Sequence, residues 1–473
     1  MAKIETPFVG GAYTSRSSNL NAQTCQNLYL ETDQTGAKSI IALVGTPGCK
    51  VWKATGITAE IRALYEYRGS LYAVLGNTVY KFDSAKTPTS IGTLGTDNGF
   101  VDITEDESNM VLFDAIGGRI WDDTTFSSIT NAAFPAPTGA TYQDGYHIMS
   151  KSGTNEIYIS GFTGTGAADP ASWSALNFAT VEGTGDMLVS PISVQRQVWL
   201  IGTKSTEVWY NSGATFPFER NPGGFMRIGC NAKRSIASYQ DELMFLSDKN
   251  QVVRKQGLGL IPVSTYQIDY LISTMASVSD ARAFMYGQEG HVFYEISFPT
   301  ADKTLCYDLT TGFWHTRASG PTDIRSRANC AIRFNNLVLV GDFNNGIIYE
   351  YDLATFTDNG GVKRAIRTAQ HINDDNNRIF FSSFELDMES GVGTTTTTAP
   401  QIMLQVSRDG GHTWGPERWK SMGGSGEYKR RVKWNRLGSA RNLTMKVTIS
   451  DPVKRNIFKA YLTGTTAGEV EDG

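Results

Sequence analysis

The residues best spaced for a defined chemical task are Ser407-Arg408-Asp409-Gly410-Gly411-His412-Thr413-Trp414, which match the Asp-box pattern S-x-D-x-G-x-T-W. The task is structural. The Asp409 carboxylate can accept hydrogen bonds from backbone N–H groups across a tight turn, the glycines permit φ > 0, and Trp414 can anchor the hairpin by apolar packing. Ser407, Asp409, Gly411, Thr413 and Trp414 are therefore expected to form a structural turn rather than a reactive site. A second constellation is cationic. Between Glu417 and Lys459 there are 12 Lys/Arg against three acids, a local balance of +9, so the rest of a chain of formal charge −4 carries −13. If Lys429–Trp434 is a strand, alternation puts Lys429, Arg431 and Lys433 on one face and Val432 and Trp434 on the other. Together with Arg436 and Arg441, these cations make a candidate face for an anionic partner: nucleic acid, an acidic neighbouring subunit or the acidic body of the same chain.

Other searches for chemistry end in ordinary turns. Gly45–Lys50 has the look of a phosphate loop, but its spacing is short and Val51 stands where Ser or Thr is required. Asp342–Gly346 has calcium-loop residue types without the spacing or the terminal Glu. The acids Glu105-Asp106-Glu107 and Asp122-Asp123 could supply a glycosidase pair, yet both clusters read as solvated turn edges. The five histidines (His147, His291, His315, His371, His412) are dispersed and form no H-E-x-x-H motif or triad. The five cysteines are scattered, with no Cys-x-x-Cys pair, and read as buried thiols. No catalytic, metal or cofactor site is expected. No run of about 18 apolar residues exists, and the first residues lack the apolar core of a signal peptide, so a soluble chain made in a cytoplasm is expected.

The elements that must position these residues repeat. An apolar strand, a short polar turn and a second apolar strand recur at Leu71–Asp83, Val198–Tyr210 and Leu337–Tyr351. Weaker copies span Met110–Trp121, Tyr146–Ile159, Leu243–Val253 and His291–Tyr307. The strand centres Val198, Met244, Val292 and Val338 are 46, 48 and 46 residues apart. About 40–50 residues is the length of a four-stranded propeller blade, and a β-sandwich would need no such period. The predicted fold is all-β: a β-propeller of six or seven blades over 56–365, preceded by an extended N-terminal arm over 1–55 that lies on the main body or on a neighbour. A C-terminal antiparallel β-sandwich occupies 366–473, with strands at Ile379–Met388, Gln401–Val406, Tyr428–Trp434 and Leu443–Ile449. The threonine-rich 391–400 reads as a loop, and 463–473 as a mobile acidic tail. The one helical pattern, Tyr266–Ala276, should link two blades.

Several stretches carry a resemblance. Leu200–Gly213, Gly229–Lys233 and Leu243–Ser247 resemble the packaged-DNA stabilisation (tail hub) proteins of short-tailed bacteriophages. Asn27–Leu30 followed by Leu43–Gly48 looks like that family's opening, and Ser407–Gly411 with Lys429–Trp434 looks like its closing module. The similarity runs over nearly the whole chain in the same order. It implies a structural, non-enzymatic protein of the virion tail, assembled in the host bacterial cytoplasm. Six copies would form a homohexameric ring below the portal and its adaptor (the head-to-tail connector), close the DNA channel after packaging and hold a tail needle or plug and tailspikes. The basic module would then face packaged DNA or the next subunit, and no cofactor or membrane is implied. The alternative is a receptor- or glycan-binding tail protein, suggested by the sialidase-like Asp box; it would need an acid pair and an arginine cluster converging in one pocket.

Overall fold

Each of the seven sequence hairpins is the second and third strand of one four-stranded blade in the computed structural model, which describes residues 2–33, 35, 39–164 and 166–466. Blades 1 to 6 occupy 61–93, 102–128, 137–180, 188–226, 237–262 and 282–319, each an antiparallel meander in chain order. Blade 7 takes three strands from 328–352 and its outermost strand, Gly48–Ala54, from near the start of the chain, with Ile347 opposite Ala54 and Asp352 opposite Gly48. The blade number left open by the hairpin count is thus seven among the described residues. The spacing of 46 to 48 residues tracks the second strands, because Gln197–Gly202, Glu242–Leu246, His291–Phe298 and Leu337–Asp342 hold the four marks.

The ring is held by apolar faces between blades. At six of the seven joints the first strands of neighbouring blades adjoin. Blades 4 and 5 share a core of Trp199, Ile201, Val208, Leu243 and Phe245. Blade 7 meets blade 1 through Leu339 and Ile348 against Ile61, Leu64 and Ala73. Period-two alternation inside each strand puts one side chain set in each joint, so both faces of a blade are buried. The helix Tyr266–Ser273 links blades 5 and 6, and its buried Ile268 and Ile272, one turn apart, enter their common core.

The sandwich draws on both ends of the chain. One sheet runs Leu28–Thr32, Ile41–Gly45, Ile457–Thr466, Ile379–Met388, Val432–Ala440, with Ala2–Thr6 also on Ile457–Thr466. The other is continuous with the propeller: the outer strand of blade 6, Phe313–Ser319, pairs in parallel with Thr24–Gln26, and the sheet continues through Ala365–Thr368, Asn442–Ile449, Gln401–Ser407 and Arg418–Ser421. Between them lies a core that includes Phe8, Leu43, Phe384, Leu404, Trp434 and Met445. Residues 1–55, read as an arm, are therefore shared between the sandwich and blade 7. The sequence reading missed this because those strands are short and, apart from the pairing of Leu28–Thr32 with Ile41–Gly45, their partners lie hundreds of residues away. At Gly48, where the chain enters blade 7, a Cβ would collide with the carbonyls of Thr355 and Thr357, so only glycine permits the approach.

Two local expectations need correction. The strand predicted over Tyr428–Trp434 begins only at Val432. The glycine-rich 423–426 runs directly into a second turn, closed by Arg430 N–H to the Glu427 carbonyl at 3.0 Å. In the tail predicted to be mobile, Thr463–Thr466 are strand, opposite Ser383 to Ile379; the remainder of that tail, 467–473, lies outside the described residues. The threonine-rich 391–400 is a loop.

Candidate interaction surfaces

Charged side chains that precede or open the first strands of the blades meet at the propeller axis. The Glu60 Oε1 atom, just before blade 1, accepts from Arg234 Nη2 at 2.8 Å, Asn329 Nδ2 at 2.8 Å and Arg282 Nη1. Arg234 precedes blade 5, while Arg282 and Asn329 lie at the starts of blades 6 and 7. Lys233 donates to Asp102 of blade 2 at 2.8 Å and to the Thr138 carbonyl of blade 3, with its ammonium 3.0 Å from the Phe100 ring centroid. Blade 5 is not a ring neighbour of blades 1, 2 or 3, so the Lys233-Arg234 turn must reach them across the axis. Burial pulls the Lys233 ammonium down to about 8, against the Asp102 carboxylate beside it. Burial alone would raise Glu60, but Arg234 and Arg282 outweigh it and hold the carboxyl below its usual range. The arrangement is a clasp that ties together blades on opposite sides of the ring.

The two modules are joined by buried polar groups. Asn27, fully buried and at φ +53°, donates from Nδ2 to the carbonyls of Ala318 (2.8 Å) and Arg364 (2.7 Å) and accepts the Ala318 N–H at 3.1 Å. Arg367, 1% exposed, donates to the carbonyls of Phe8 (2.8 Å) and Gly11 (3.2 Å), which pins the first residues of the chain. Asp358 accepts from Cys49 N–H at 3.1 Å and from the Ser319 hydroxyl at 2.5 Å, with Lys363 Nζ 3.4 Å away. Backbone pairing and these side chains tie the two modules together.

The cationic constellation is only partly assembled. Because residues 428–431 are not strand, alternation reaches only Lys433 in that row, whose Cα faces Glu385 on the neighbouring strand. Val432 and Trp434 are each 1% exposed and point into the core. Arg431 grips Glu385 with Nε at 2.7 Å and Nη2 at 2.9 Å, and Lys3 adds a third contact at 3.0 Å; these hydrogen bonds hold Glu385 down at about 2. Arg436 sits at φ +59° in a register shift and leaves the strand alternation. Lys429, Lys433, Arg436 and Arg441 make no ion pair among the described residues.

The Asp-box residues form the expected turn between Gln401–Ser407 and Arg418–Ser421. Asp409 accepts Thr413 N–H at 2.9 Å and its hydroxyl, and Ser407 Oγ takes Gly411 N–H at 2.8 Å. The bonds from Ser407 and Thr413 keep Asp409 well below the usual carboxylate range. Trp414 is half-buried with the Lys446 ammonium 4.4 Å from its ring centroid, a cation–π contact rather than the apolar anchor expected.

Asp106, Asp122, Asp123 and the histidines are engaged in the scaffold. Asp106 accepts from His147 at 3.0 Å and from the Ser108 N–H, Asp122 accepts the N–H groups of Thr124 and Thr125, and Asp123 pairs with Lys81. His291 bonds Asp308 at 2.8 Å, and His315 is buried beside Arg317, which keeps it neutral. Among the described residues no group of three His, Cys, Asp or Glu could hold a metal ion. The axial residues Glu60, Lys233, Arg234 and Arg282 went unnoticed in the sequence. Their only signal is a charge just before or at the start of an apolar first strand, which is unremarkable until the ring superimposes those positions.

With this geometry in place, similarity to known proteins is informative. A family described as Bacteriophage P22 Gp10, beta-propeller, matches residues 4–356, and one described as Bacteriophage P22 Gp10, beta-sandwich, matches residues 364–465. No curated protein matches the chain. Among solved structures, the computationally designed Ika8 protein is similar at TM-score 0.40 and 10% identity, over 65% of this chain and 100% of Ika8. The WD40 domain of Neurospora crassa Pan2 is similar at TM-score 0.42 and 8% identity, over 65% of this chain and 94% of that one. The extracellular domain of the putative one-component system BT4673 of B. thetaiotaomicron reaches TM-score 0.43 and 10% identity, over 86% and 58%. At TM-scores under 0.5 these three have no bearing on the role of this chain.

Proposed function

The chain belongs to the bacteriophage P22 Gp10 family of structural tail proteins of the virion, and from that premise we propose that it is a tail hub subunit. In this reading six copies form a ring beneath the portal and adaptor, close the DNA channel once packaging ends, and hold a needle or plug and tailspikes. The observation that carries it is the eleven-stranded sheet shared by blade 6 and the sandwich. A load on either module passes to the other through backbone hydrogen bonds and the Asn27 contacts, with no flexible linker to absorb it. Blade 7, closed by an N-terminal strand, leaves the ring without a free edge to unzip. Six such joints acting together resist a pressure that one could not. Lys429, Lys433, Arg436 and Arg441 would then meet packaged DNA or the acidic remainder of the neighbouring subunit.

The test is the DNA content of particles from a phage with a nonsense mutation in this gene. Heads that fill and then leak are the expected result, and the purified chain should assemble at six times its 51.8 kDa mass. Full, stable particles that fail to adsorb would overturn the hub reading in favour of the receptor-binding alternative. That alternative has an arginine cluster at the propeller axis, but the acids there, Glu60 and Asp102, are tied to separate cations.

A further inference from the structure

Where the propeller, the N-terminal segment and the sandwich meet, they line a cavity of about 500 Å³. Its apolar wall includes Trp314 of blade 6, Leu271 of the helix between blades 5 and 6, and Ile366 and Trp414 of the sandwich. Its cations are Lys303 of blade 6 and Lys446 of the sandwich, and no aspartate or glutamate lines it. Neither lysine makes an ion pair among the described residues; Lys446 has only the Trp414 ring. The side-chain amide of Gln267, also in the wall, has no hydrogen-bond partner among them. Behind the wall, Arg367 is buried without a carboxylate: it donates to the Phe8 and Gly11 carbonyls and, at 3.1 Å, to the lining Gln23, while its Nη1 has no partner. The acids on the surrounding elements are engaged elsewhere. Asp302, next to Lys303 in the chain, accepts the Arg325 N–H at 2.9 Å, Asp323 pairs with Arg364 and accepts from Gln26 at 2.9 Å, and Asp269 of the helix accepts from Gln251 of blade 5 at 2.9 Å. Glu417 acts on Lys446 without an ion pair, but burial, aided by Arg364, outweighs it and lowers the ammonium below its usual range.

Cations that line a concave, partly apolar site without a paired carboxylate favour an anionic partner. The tryptophans and aliphatic residues beside them favour an apolar one. The surface continues outward through Tyr266 and Leu20, 87% and 76% exposed, and through Tyr270, on which the Arg16 guanidinium rests 4.8 Å from the ring centroid. Tyr266 and Tyr270 share the helix with Gln267 and Leu271, and Leu20 lies between the lining residues Ser18 and Ala22. Exposed aromatics with an arginine around a concave patch have the composition of a protein interface, and they extend past what a small carboxylate could cover. We propose that this cavity docks a polypeptide segment of another virion protein, which presents aspartate or glutamate to Lys303 and Lys446 and an apolar side chain to Trp314 and Leu271. The inference rests on membership of the virion tail and not on the hub role.

Photo-cross-linking in assembled particles tests it. Gln267→p-benzoylphenylalanine places the reactive group in the wall and strands no partner. Irradiated virions should give an adduct whose second peptide, read by mass spectrometry, comes from a different virion protein and carries Asp or Glu beside apolar residues. Lys303→Glu combined with Lys446→Glu should cut the adduct yield by about tenfold or more, because like charges would then meet. Lys303→Glu alone, at an exposed position, guards against a double variant that fails to fold and should cut the yield by a smaller factor, whereas Lys303→Arg should leave it unchanged. Immunoblotting of the same particles for this chain separates a failure to dock from a failure to join the tail. Particles that contain the chain but give no adduct, an adduct only with a second copy of this chain, or a yield unchanged by both Glu variants would overturn the proposal.

Discussion

Blades 1 to 6 and the sandwich solve the same problem, burying β-sheet faces, with opposite use of the chain. In blades 1 to 6 every strand pairs with the strand before or after it, across turns such as Tyr67–Ser70 or Leu75–Thr78. In the sandwich Ala2–Thr6 pairs with Ile457–Thr466, Leu28–Thr32 lies one strand from the same partner, and Thr24–Gln26 bridges Phe313–Ser319 to Ala365–Thr368. Local pairing closes small loops at low entropic cost, whereas pairing the chain ends closes nearly the whole chain. The difference implies an order of events. The blade hairpins can form as soon as their residues exist, while blade 7 and the sandwich must wait for strands from both ends. A tail component made this way becomes rigid at its joint only when the chain is complete.

The largest expected effect comes from removing residues 1–46, which deletes four strands and leaves the Ile457–Thr466 edge and the Phe8 pocket open. The sandwich should fail to form, seen as rapid proteolysis of 366–466 while fragments from the blades persist. Equal protection of both modules in the shortened chain would break the comparison. Next is Glu295→Ala in blade 6. Glu295 and Arg317 are an ion pair 2.7 Å apart with almost no exposure, and Tyr351 donates to the same carboxylate. Stranding Arg317 should cost about 3–5 kcal/mol, read as a lower denaturation midpoint. Asn27→Ala follows at about 3 kcal/mol, because it leaves two carbonyls and one N–H at the junction without partners. Hydrogen exchange sharpens the contrast: Asn27→Ala should speed exchange at the junction and in the sandwich, with blades 1 to 4 unchanged.

The same division explains what could be read from the sequence. Hairpins such as Leu71–Phe82 are visible because their apolar alternation and their turn residues are adjacent in the chain. Their period marks the repeated second strand of each blade. The Asp-box turn was equally plain, since the side chains of Ser407, Asp409 and Thr413 bond to one another and to nearby backbone. What escaped notice depends on closure. Val51 and Cys49 give no local hint that they pair with Tyr349 and Tyr351, and Glu60 and Arg234 are 174 residues apart but share a hydrogen bond. The basic row failed for a local reason: alternation was assumed through Lys429–Arg431, where two successive turns hold the backbone away from a partner strand.

The smallest effect concerns that row and is best separated by pH. Glu385 ties Lys3, from the first strand, to Arg431, beside the last turn before Val432, so it is an electrostatic counterpart of the end-to-end pairing. Its folded pKa is depressed to about 2, against roughly 4.3 for an unperturbed glutamate. A depressed carboxylate adds stability above the unfolded value, and that stability fades as pH falls through the folded one. Lys3 and Arg431 are about half and two-thirds exposed, so solvent screening limits the contribution to about 1 kcal/mol or less. Glu385→Gln should therefore lower the denaturation midpoint slightly and constantly above pH 5, with the difference from the parent chain vanishing toward pH 2. Added salt should shrink the same difference. A gap that persists at pH 2 would mean that Glu385 acts through packing, and the N-terminal strand would then be held by backbone pairing with Ile457–Thr466 alone.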